Sequence, residues 1–272
     1  MSLNSDTQAL QKIASCDPVW SYIRRDALEM VQNEPLLAGV LHAIALNHAR
    51  LENAVSYHMA QKLGGPLMPA MLLGQIFDEA LSSDPDIGSA IRADIVAVYD
   101  RDPACKSHLE PLLYFKGFHG LQCYRIAHWL WNNGRQPLAL FLQNRISEVF
   151  GLDIHPAAKI GRGIMIDHGT GVVIGETTVI EDEVSLLQNV TLGGTGKESG
   201  DRHPKVRRGA LICAGAKVLG NIEIGECAKV GAASVVLNDV PPRCTVVGVP
   251  GKIVGECCPH PARSMDQSLP EI

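Results

Sequence analysis

Aliphatic residues recur at intervals of six through the second half of the chain. The register runs from residue 154 to residue 236, with a slip of two residues after position 166 and a gap of fourteen residues between 192 and 206. Its members are Ile154, Ile160, Ile166, Ile174, Ile180, Leu186, Leu192, Val206, Ile212, Val218, Ile224, Val230 and Val236. Six residues suit one short strand and a corner, and such strands, stacked about 4.8 Å apart, bury a narrow aliphatic column. The pattern predicts a parallel β-helix.

A second site, four positions after most of the aliphatic ones, holds small or β-branched residues. These are Ala158, Thr170, Thr178, Val184, Val190, Ala210, Ala216, Ala228, Ser234 and Val240. We expect both sites to face the interior or to turn a corner. Glycine often follows the aliphatic residue, as at Gly161 and Gly225, where a tight bend favours a missing side chain.

The gap between Leu192 and Val206 exceeds one repeat by eight residues, so a loop must leave the coil over residues 193–205. The loop contains four glycines, followed by a polar cluster from Asp201 to Pro204. In one interpretation the loop is only a solvated surface segment without a function. Functional residues, however, often occupy loops that a rigid scaffold holds, and we expect this loop to carry part of a site.

The first half of the chain has a different period. Its apolar residues recur at spacings of three and four, which is typical of amphipathic helices. Asp17 and Asp84 each precede a proline, so a capping carboxylate stands before a residue suited to the first helical position. This half therefore predicts an all-helical domain.

The two periods together predict an α+β chain of three segments. We expect a helical N-terminal domain over 1–150 that contacts substrate and supports oligomerisation. A β-helix with one protruding loop follows over 151–255. The register lapses after that, and the prolines and serines of 256–272 predict a flexible tail.

Composition narrows the class of partner. The net charge is −5, charged residues make up 19% of the chain, and no basic block appears, which argues against nucleic-acid binding. No apolar run approaches the roughly 20 residues that span a bilayer, and the first residues lack the pattern of a leader. We expect no membrane contact, a cytoplasmic location and reduced cysteines. Whether the adjacent Cys257 and Cys258 are redox-active is left open.

The six-residue repeat resembles that of the hexapeptide-repeat acyltransferases. In that family three hexapeptides form one triangular coil of a left-handed β-helix. The resemblance covers about 85 residues and implies a homotrimer in which the acyl-coenzyme A lies along the seam between adjacent β-helices.

Acyl transfer to an alcohol requires a base, because a neutral hydroxyl is a poor nucleophile. The repeat region and its loop contain three histidines, His155, His168 and His203. His168 occupies a position that usually holds a small outward-facing residue, whereas His155 is expected to be structural. Asp153 lies fifteen residues before His168, three short of one coil, so the two side chains could meet across adjacent coils and the carboxylate could orient the imidazole.

The segment 153–168, together with 191–197 and 201–204, resembles the serine acetyltransferases, and the helical first half agrees with that family. The resemblance implies transfer of acetyl from acetyl-CoA to L-serine, which gives O-acetyl-L-serine and CoA in the first step of cysteine biosynthesis, with inhibition by L-cysteine. It makes His168 the general base and Asp153 its carboxylate partner. The implied substrate-binding residues are Arg202 and His203 for the serine carboxylate, and Asp102 and Asp167 for its amino group.

Acetyl-CoA as co-substrate needs a groove with accessible backbone groups and cations for its phosphates. The candidates with small side chains are Ala214, Gly215, Ala232 and Ala233, and the cationic ones are Lys217, Lys229, Arg243 and Lys252. No metal is expected.

The resemblance also implies two kinds of protein contact. Trimers are expected to pair into hexamers. The terminal Ile272 is expected to insert into O-acetylserine sulfhydrylase.

Three alternatives stay open at this point. A hexapeptide acyltransferase with another acceptor shares the scaffold, since the β-helix does not choose the acceptor. A zinc hydratase would need three converging imidazoles, of which His168 and His203 supply two. A structural β-helix without catalysis is the third.

Overall fold

The computed structural model describes residues 17–196 and 199–269. Its first part is helical. The α-helices are α1 Pro18–Asn33, α2 Ala38–Leu41, α3 Leu51–Leu63, α4 Ala70–Ser83, α5 Pro85–Arg101, α6 Leu109–Tyr114, α7 Lys116–Asn132 and α8 Gln136–Phe150, with a 3₁₀ turn at Pro35–Leu37 and a π turn at His42–Leu46. None of the helices described is both long and apolar enough to span a membrane.

The predicted helix starts are present. The side chain of Asp17 accepts a hydrogen bond from the Trp20 amide at 3.1 Å, and that of Asp84 accepts one from the Asp86 amide at 3.0 Å. Each satisfies a backbone donor that has no partner within the helix. Gly151 ends α8 with a φ of 72°, a left-handed conformation that glycine adopts at little cost.

The second part is a parallel β-helix, and it confirms the predicted fold class. Its strands are β1 Leu152–Ile154, β2 Lys159–Ile160, β3 Met165–Ile166, β4 Val172–Ile174, β5 Val179–Ile180, β6 Ser185–Leu186, β7 Thr191–Gly193, β8 Lys205–Val206, β9 Leu211–Ile212, β10 Lys217–Leu219, β11 Glu223–Ile224, β12 Lys229–Val230, β13 Val235–Val236, β14 Cys244–Val247 and β15 Lys252–Glu256.

The strands form the three faces of a prism. Sheet 1 contains β1, β4, β7, β10 and β13; sheet 2 contains β2, β5, β8 and β11; sheet 3 contains β3, β6, β9, β12, β14 and β15. All pairs are parallel except β14 with β15. We name each corner by the sheets it joins, in chain order: the 1–2, 2–3 and 3–1 corners.

Register on sheet 1 shows where the coil departs from its 18-residue period. Ile174 pairs with Leu192 and Val218 with Val236, both one period apart. Leu152 pairs with Val172, 20 residues on, and Leu192 with Val218, 26 residues on. These two coils contain the two-residue slip and the eight-residue excess of the sequence pattern, and in both of them the extra residues lie between strands.

The aliphatic column forms the core of the β-helix. Twelve of its thirteen members are buried, and Ile160 is partly exposed. Thr170 is one of the positions that turn a corner, because its exposed side chain lies in the turn between β3 and β4. The two inserted residues displace it from the interior site, and Val172, which is fully buried, occupies that site instead.

A buried ion pair joins the helices to the first coil. Asp94 on α5 accepts hydrogen bonds from Arg125 on α7 at 2.7 and 3.1 Å, and from the Ile164 amide of the coil at 2.9 Å. Arg125 also donates to the Gly161 carbonyl at 2.7 Å. The side chain of Asp94 is fully buried. The pair therefore fixes α5 and α7 against the turn that precedes β3.

The end of the chain packs on sheet 3 as far as it is described. A single helical turn, α9 Pro261–Ser264, buries Ala262, whose carbonyl accepts a hydrogen bond from Ser185 at 2.8 Å. Met265 packs against Leu187 and Leu211. The composition of 256–272 predicts flexibility, but Ala262 and Met265 pack against apolar side chains of sheet 3.

Replacing Arg125 by Met should destabilise the protein by about 3–5 kcal/mol, because it leaves the Asp94 carboxylate buried without its counter-ion. The double variant Asp94→Leu/Arg125→Met should recover most of that loss, since both charges of the pair are then removed together. Denaturant unfolding of the three proteins measures both effects. A single variant as stable as the parent would contradict this account of the junction.

Candidate active site

His168 lies on the two-residue insertion at the 3–1 corner. The other turns of this corner, 187–190, 213–216 and 231–234, are shorter than the turn 167–171. His168 and Gly169 adopt φ values of 55° and 77°. The left-handed conformation is uncommon for a residue with a side chain and marks a strained corner. It presents the imidazole to solvent with 70% of the side chain exposed.

Two carboxylates share a cleft with His168. Asp102 and Asp167 line a cavity of about 450 Å³ together with His168, Lys116 and an apolar wall. The distance from His168 Nε2 to Asp167 Oδ2 is 3.8 Å. Burial, together with the like charge of Asp102, raises the pKa of Asp167 above its ordinary value, while His168 opposes the rise. Two carboxylates on one cavity favour a cationic ligand such as an ammonium group.

Each carboxylate is held by its own local structure. Asp102 follows the last residue of α5 and accepts a hydrogen bond from the Ala104 amide at 2.8 Å through Oδ1. Asp167 opens the corner turn. The cleft closes because α7 begins against this turn at Gly117, where a side chain would collide with the Ile166 carbonyl, and a side chain at Gly169 would collide with the backbone of Gly117. Glycine at both positions permits the close approach.

The loop between β7 and β8 returns to the protein at the 1–2 corner. His203 is buried there, and its Nδ1 lies 2.9 Å from the Thr177 hydroxyl. That hydroxyl also accepts hydrogen bonds from the amides of Arg202 and His203 at 3.0 and 3.1 Å. A side chain at Gly175 would collide with the imidazole ring. One threonine thus holds the end of the loop in place.

The 1–2 corner holds an ion-paired arginine beside a histidine. Arg202 forms an ion pair with Glu176 at 2.6 Å, and the Arg202 side chain is about one quarter exposed. Burial, and then the charge of Arg202, lowers the pKa of His203 below its ordinary value, so His203 stays neutral near pH 7. Arg202 and a neutral His203 are donors suited to a carboxylate.

Asp153 is the middle residue of β1, the edge strand of sheet 1, and it projects outward between the two corners. Its Oδ1 accepts a hydrogen bond from Gln143 on α8 at 2.7 Å. The expected hydrogen bond to His168 is not formed in the described part of this chain, where the carboxylate nearest to His168 belongs to Asp167. His155, at the start of the next turn, packs edge-on against Trp131, in keeping with a structural role.

The predicted site residues therefore fall into two groups on opposite edges of sheet 1. Asp102, Asp167 and His168 lie at the 3–1 corner, and Arg202 and His203 lie at the 1–2 corner. The three residues of β4 separate these edges by roughly 10 Å. A ligand the size of an amino acid would have to span the width of sheet 1 to contact both groups of a single chain within hydrogen-bond distance.

Most of the residues expected to bind acetyl-CoA lie at the 3–1 corner and on sheet 3. Ala214, Gly215 and Ala232 lie in successive turns of the 3–1 corner, in line with His168. Backbone hydrogen bonds connect these turns, from Asn189 N to Thr170 O at 2.7 Å, from Gly215 N to Gln188 O at 2.9 Å and from Ala233 N to Ala214 O at 2.8 Å. The corner is therefore a continuous ridge with small side chains at its far end.

Lys229 has a different environment. It is buried on sheet 3, and its Nζ donates to the carbonyls of Asp266 and Ser268 at 3.3 and 2.5 Å. Its charge thus contacts the end of the chain in this conformation.

Four residues of these clusters were not identified from the sequence. They are Lys116, Gln143, Glu176 and Thr177. Glu176 and Thr177 lie directly after Ile174 and Gly175 in a turn of the regular register, and nothing in their spacing distinguishes them from other corner residues. Gln143 and Lys116 lie on helices whose orientation against the coil has no signal in the periodicity. Within 17–196 and 199–269, no group of three or more His, Cys, Asp or Glu side chains is arranged to hold a metal.

Comparison with known proteins identifies the family. Residues 19–123 match the family described as serine acetyltransferase, N-terminal. The serine acetyltransferase of Salmonella typhimurium is 57% identical over 250 residues, which cover 92% of each chain.

Solved structures agree over nearly the whole chain. A serine acetyltransferase in complex with cysteine has a TM-score of 0.91 and 57% identity, covering 93% of this chain and 98% of that one. The serine acetyltransferase of Brucella abortus in complex with coenzyme A has a TM-score of 0.88 and 53% identity, covering 89% and 97%. The expected resemblance is confirmed, and the chain belongs to the serine acetyltransferase family.

Proposed function

We propose that the chain transfers the acetyl group of acetyl-CoA to the hydroxyl of L-serine, giving O-acetyl-L-serine and CoA, as the first step of cysteine biosynthesis. The observation that carries the proposal is the position of His168, which is exposed on an inserted corner beside two carboxylates in one cleft. The family membership supports the same acceptor.

In the proposed mechanism His168 acts as the general base. Its imidazole accepts the serine hydroxyl proton while the oxygen attacks the thioester carbon. The tetrahedral intermediate then expels the CoA thiolate, which takes up the proton from the imidazolium. Asp102 and Asp167 bind the serine ammonium group and hold the hydroxyl towards His168. Asp153, oriented by Gln143, is proposed to stabilise the imidazolium.

Acetyl-CoA is proposed to lie along the ridge of the 3–1 corner. That ridge leads from His168 past Gln188 to Ala214, Gly215 and Ala232, whose small side chains leave backbone groups accessible to a pantetheine arm. The relative solved with coenzyme A supports the choice of co-substrate. Lys229 could reach the nucleotide phosphates only after releasing the carbonyls of Asp266 and Ser268.

The separation of the two residue groups supports a site shared between copies. We propose a homotrimer in which the 3–1 corner of one copy faces the 1–2 corner of the next. Arg202 and His203 of the neighbouring copy would then bind the serine carboxylate, while Asp102 and Asp167 bind the amino group. The same packing would bring a second copy's sheet 1, with Asp153, against the His168 corner.

Three further assignments stay proposals. Pairing of trimers into hexamers is assigned to the helical segment 1–150, which also supplies Asp102 to the cleft. Binding of O-acetylserine sulfhydrylase is assigned to Ile272, which lies outside the described residues. A cytoplasmic location remains a prediction from the sequence.

L-Cysteine is proposed to inhibit by occupying the serine subsite. It carries the same ammonium and carboxylate groups as serine and differs by one atom, so Asp102, Asp167 and Arg202 would bind it equally well. The relative solved in complex with cysteine supports this proposal.

Replacing His168 by Ala should lower the serine-dependent release of thiol from acetyl-CoA by about 10²–10⁴-fold, the usual contribution of a general base. Thiol release is followed with and without L-serine. His42→Ala is the control, since that exposed imidazole lies on the π turn of the helical part and does not line the cleft, and it should keep most of the activity. If thiol is released only with an acceptor other than serine, serine is not the substrate. If the His168 variant stays active, His168 is not the general base.

The raised pKa of Asp167 predicts how serine binding depends on pH. Affinity for L-serine should fall as the pH is lowered through that pKa, because the carboxylate is lost while the serine ammonium persists. Asp102→Asn removes the neighbouring like charge. The variant should bind serine more weakly, and its decline in affinity should begin at a lower pH. Calorimetric titration between pH 4 and 7 measures both; an unchanged or higher midpoint would contradict the coupling between the two carboxylates.

A further inference from the structure

The last residue of α5, Arg101, is a buried cation at the junction of three segments. Only 4% of its side chain is exposed. Its neighbour in the chain is Asp102, which lies in the cleft, while the guanidinium of Arg101 points away from the cleft and lies against the outer surface of sheet 3. Burying a charge is costly unless it is paired and hydrogen-bonded, so the position demands strong partners.

Those partners lie at the 2–3 corner and on the strand that follows it. Arg101 Nη2 forms an ion pair with Glu183 at 2.6 Å, and Nη1 donates to the hydroxyl of Ser185 on β6 at 3.1 Å. The Ser185 hydroxyl donates in turn to the carbonyl of Ala262 at 2.8 Å. The guanidinium thus connects α5, sheet 3 and the end of the chain.

The anchoring of Arg101 also fixes the position of Asp102. Arg101 is held at the 2–3 corner, whereas Asp102 must reach the cleft at the 3–1 corner, so the end of α5 bridges the width of sheet 3. Val98, one turn earlier, packs against Met165 of β3. Successive Cα atoms are about 3.8 Å apart, so any displacement of Arg101 moves Asp102 relative to Asp167 and His168.

We propose that Arg101 is a positioning residue for acceptor recognition: its ion pair with Glu183 and hydrogen bond to Ser185 fix Asp102 at the distance from Asp167 that an amino-acid ammonium group requires. The proposal rests on the role assigned to Asp102 in acceptor binding. Two donors of a rigid guanidinium fork engage two different acceptors at once, a geometry that a lysine ammonium reproduces only in part.

The decisive experiment measures kcat and both KM values for Arg101→Gln and Arg101→Lys in the full chain. Arg101→Gln should raise the KM for L-serine about tenfold or more, because misplacing Asp102 weakens ground-state binding of the ammonium group. The kcat and the KM for acetyl-CoA should stay within about threefold. Arg101→Lys should recover part of the serine affinity. Glu183→Gln, which keeps the arginine buried beside a neutral partner, should raise the KM for serine in the same sense.

Arg263→Gln is the matched control. Arg263 contacts the same Glu183 carboxylate at 3.5 Å, but its side chain is 66% exposed and is not attached to Asp102. This variant should keep the parent KM for serine. A melting temperature for each protein separates loss of fold from loss of position, and Glu183→Gln decides the outcome where Arg101→Gln does not fold.

A further variant, Asp102→Ala, distinguishes a failure of the role proposed for Arg101 from a failure of the role proposed for Asp102. Asp102→Ala is measured in parallel. If it leaves the KM for serine unchanged, the assigned role of Asp102 fails. If it raises the KM for serine but the Arg101 and Glu183 variants do not, or if these lower kcat and raise both KM values together, Arg101 has only a structural role and the inference is overturned.

Discussion

Parallel hydrogen bonding between successive coils is the constraint on which the rest of this structure depends. Each strand from β4 to β14, two to four residues long, binds the strand one coil earlier, so the register cannot change within a strand without leaving buried backbone groups unpaired. Extra residues are therefore confined to corners. The two coils that exceed 18 residues, by two and by eight, contain His168 in one insertion and Arg202 and His203 in the other.

The packing around these two insertions determines which side chains share a site with them. The inserted corner would be an exposed turn without the helical part, which supplies Asp102 and closes the cleft through the approach of α7 at Gly117. The buried Asp94–Arg125 pair and the buried Arg101 hold that part against the coil. Two carboxylates and an imidazole are thereby held on one cavity, whereas the donors proposed to bind the serine carboxylate lie across sheet 1 on the same chain.

Periodicity was sufficient to predict the architecture, because each interior position of a β-helix repeats the same steric requirement. It located the aliphatic column, the slip and the loop. It did not show whether Thr170 or Val172 fills the interior site after the slip, because that depends on the pairing of Leu152 with Val172. Sequence spacing also suggested contact between Asp153 and His168, which a single chain does not make. Lateral offset between coils, the orientation of Gln143 and the packing of Met265 depend on tertiary contacts that no local pattern contains.

Complementation between two inactive variants tests most directly whether the site is shared by two copies. His168→Ala and Arg202→Ala chains are produced separately and also together in equal amounts, and serine-dependent thiol release is compared. In a shared site, mixed trimers should regain about a quarter of the parent activity, because that fraction of interfaces pairs an intact His168 corner with an intact Arg202 corner. Mixed trimers as inactive as the separate variants would show that both groups must come from one chain, and would contradict the account.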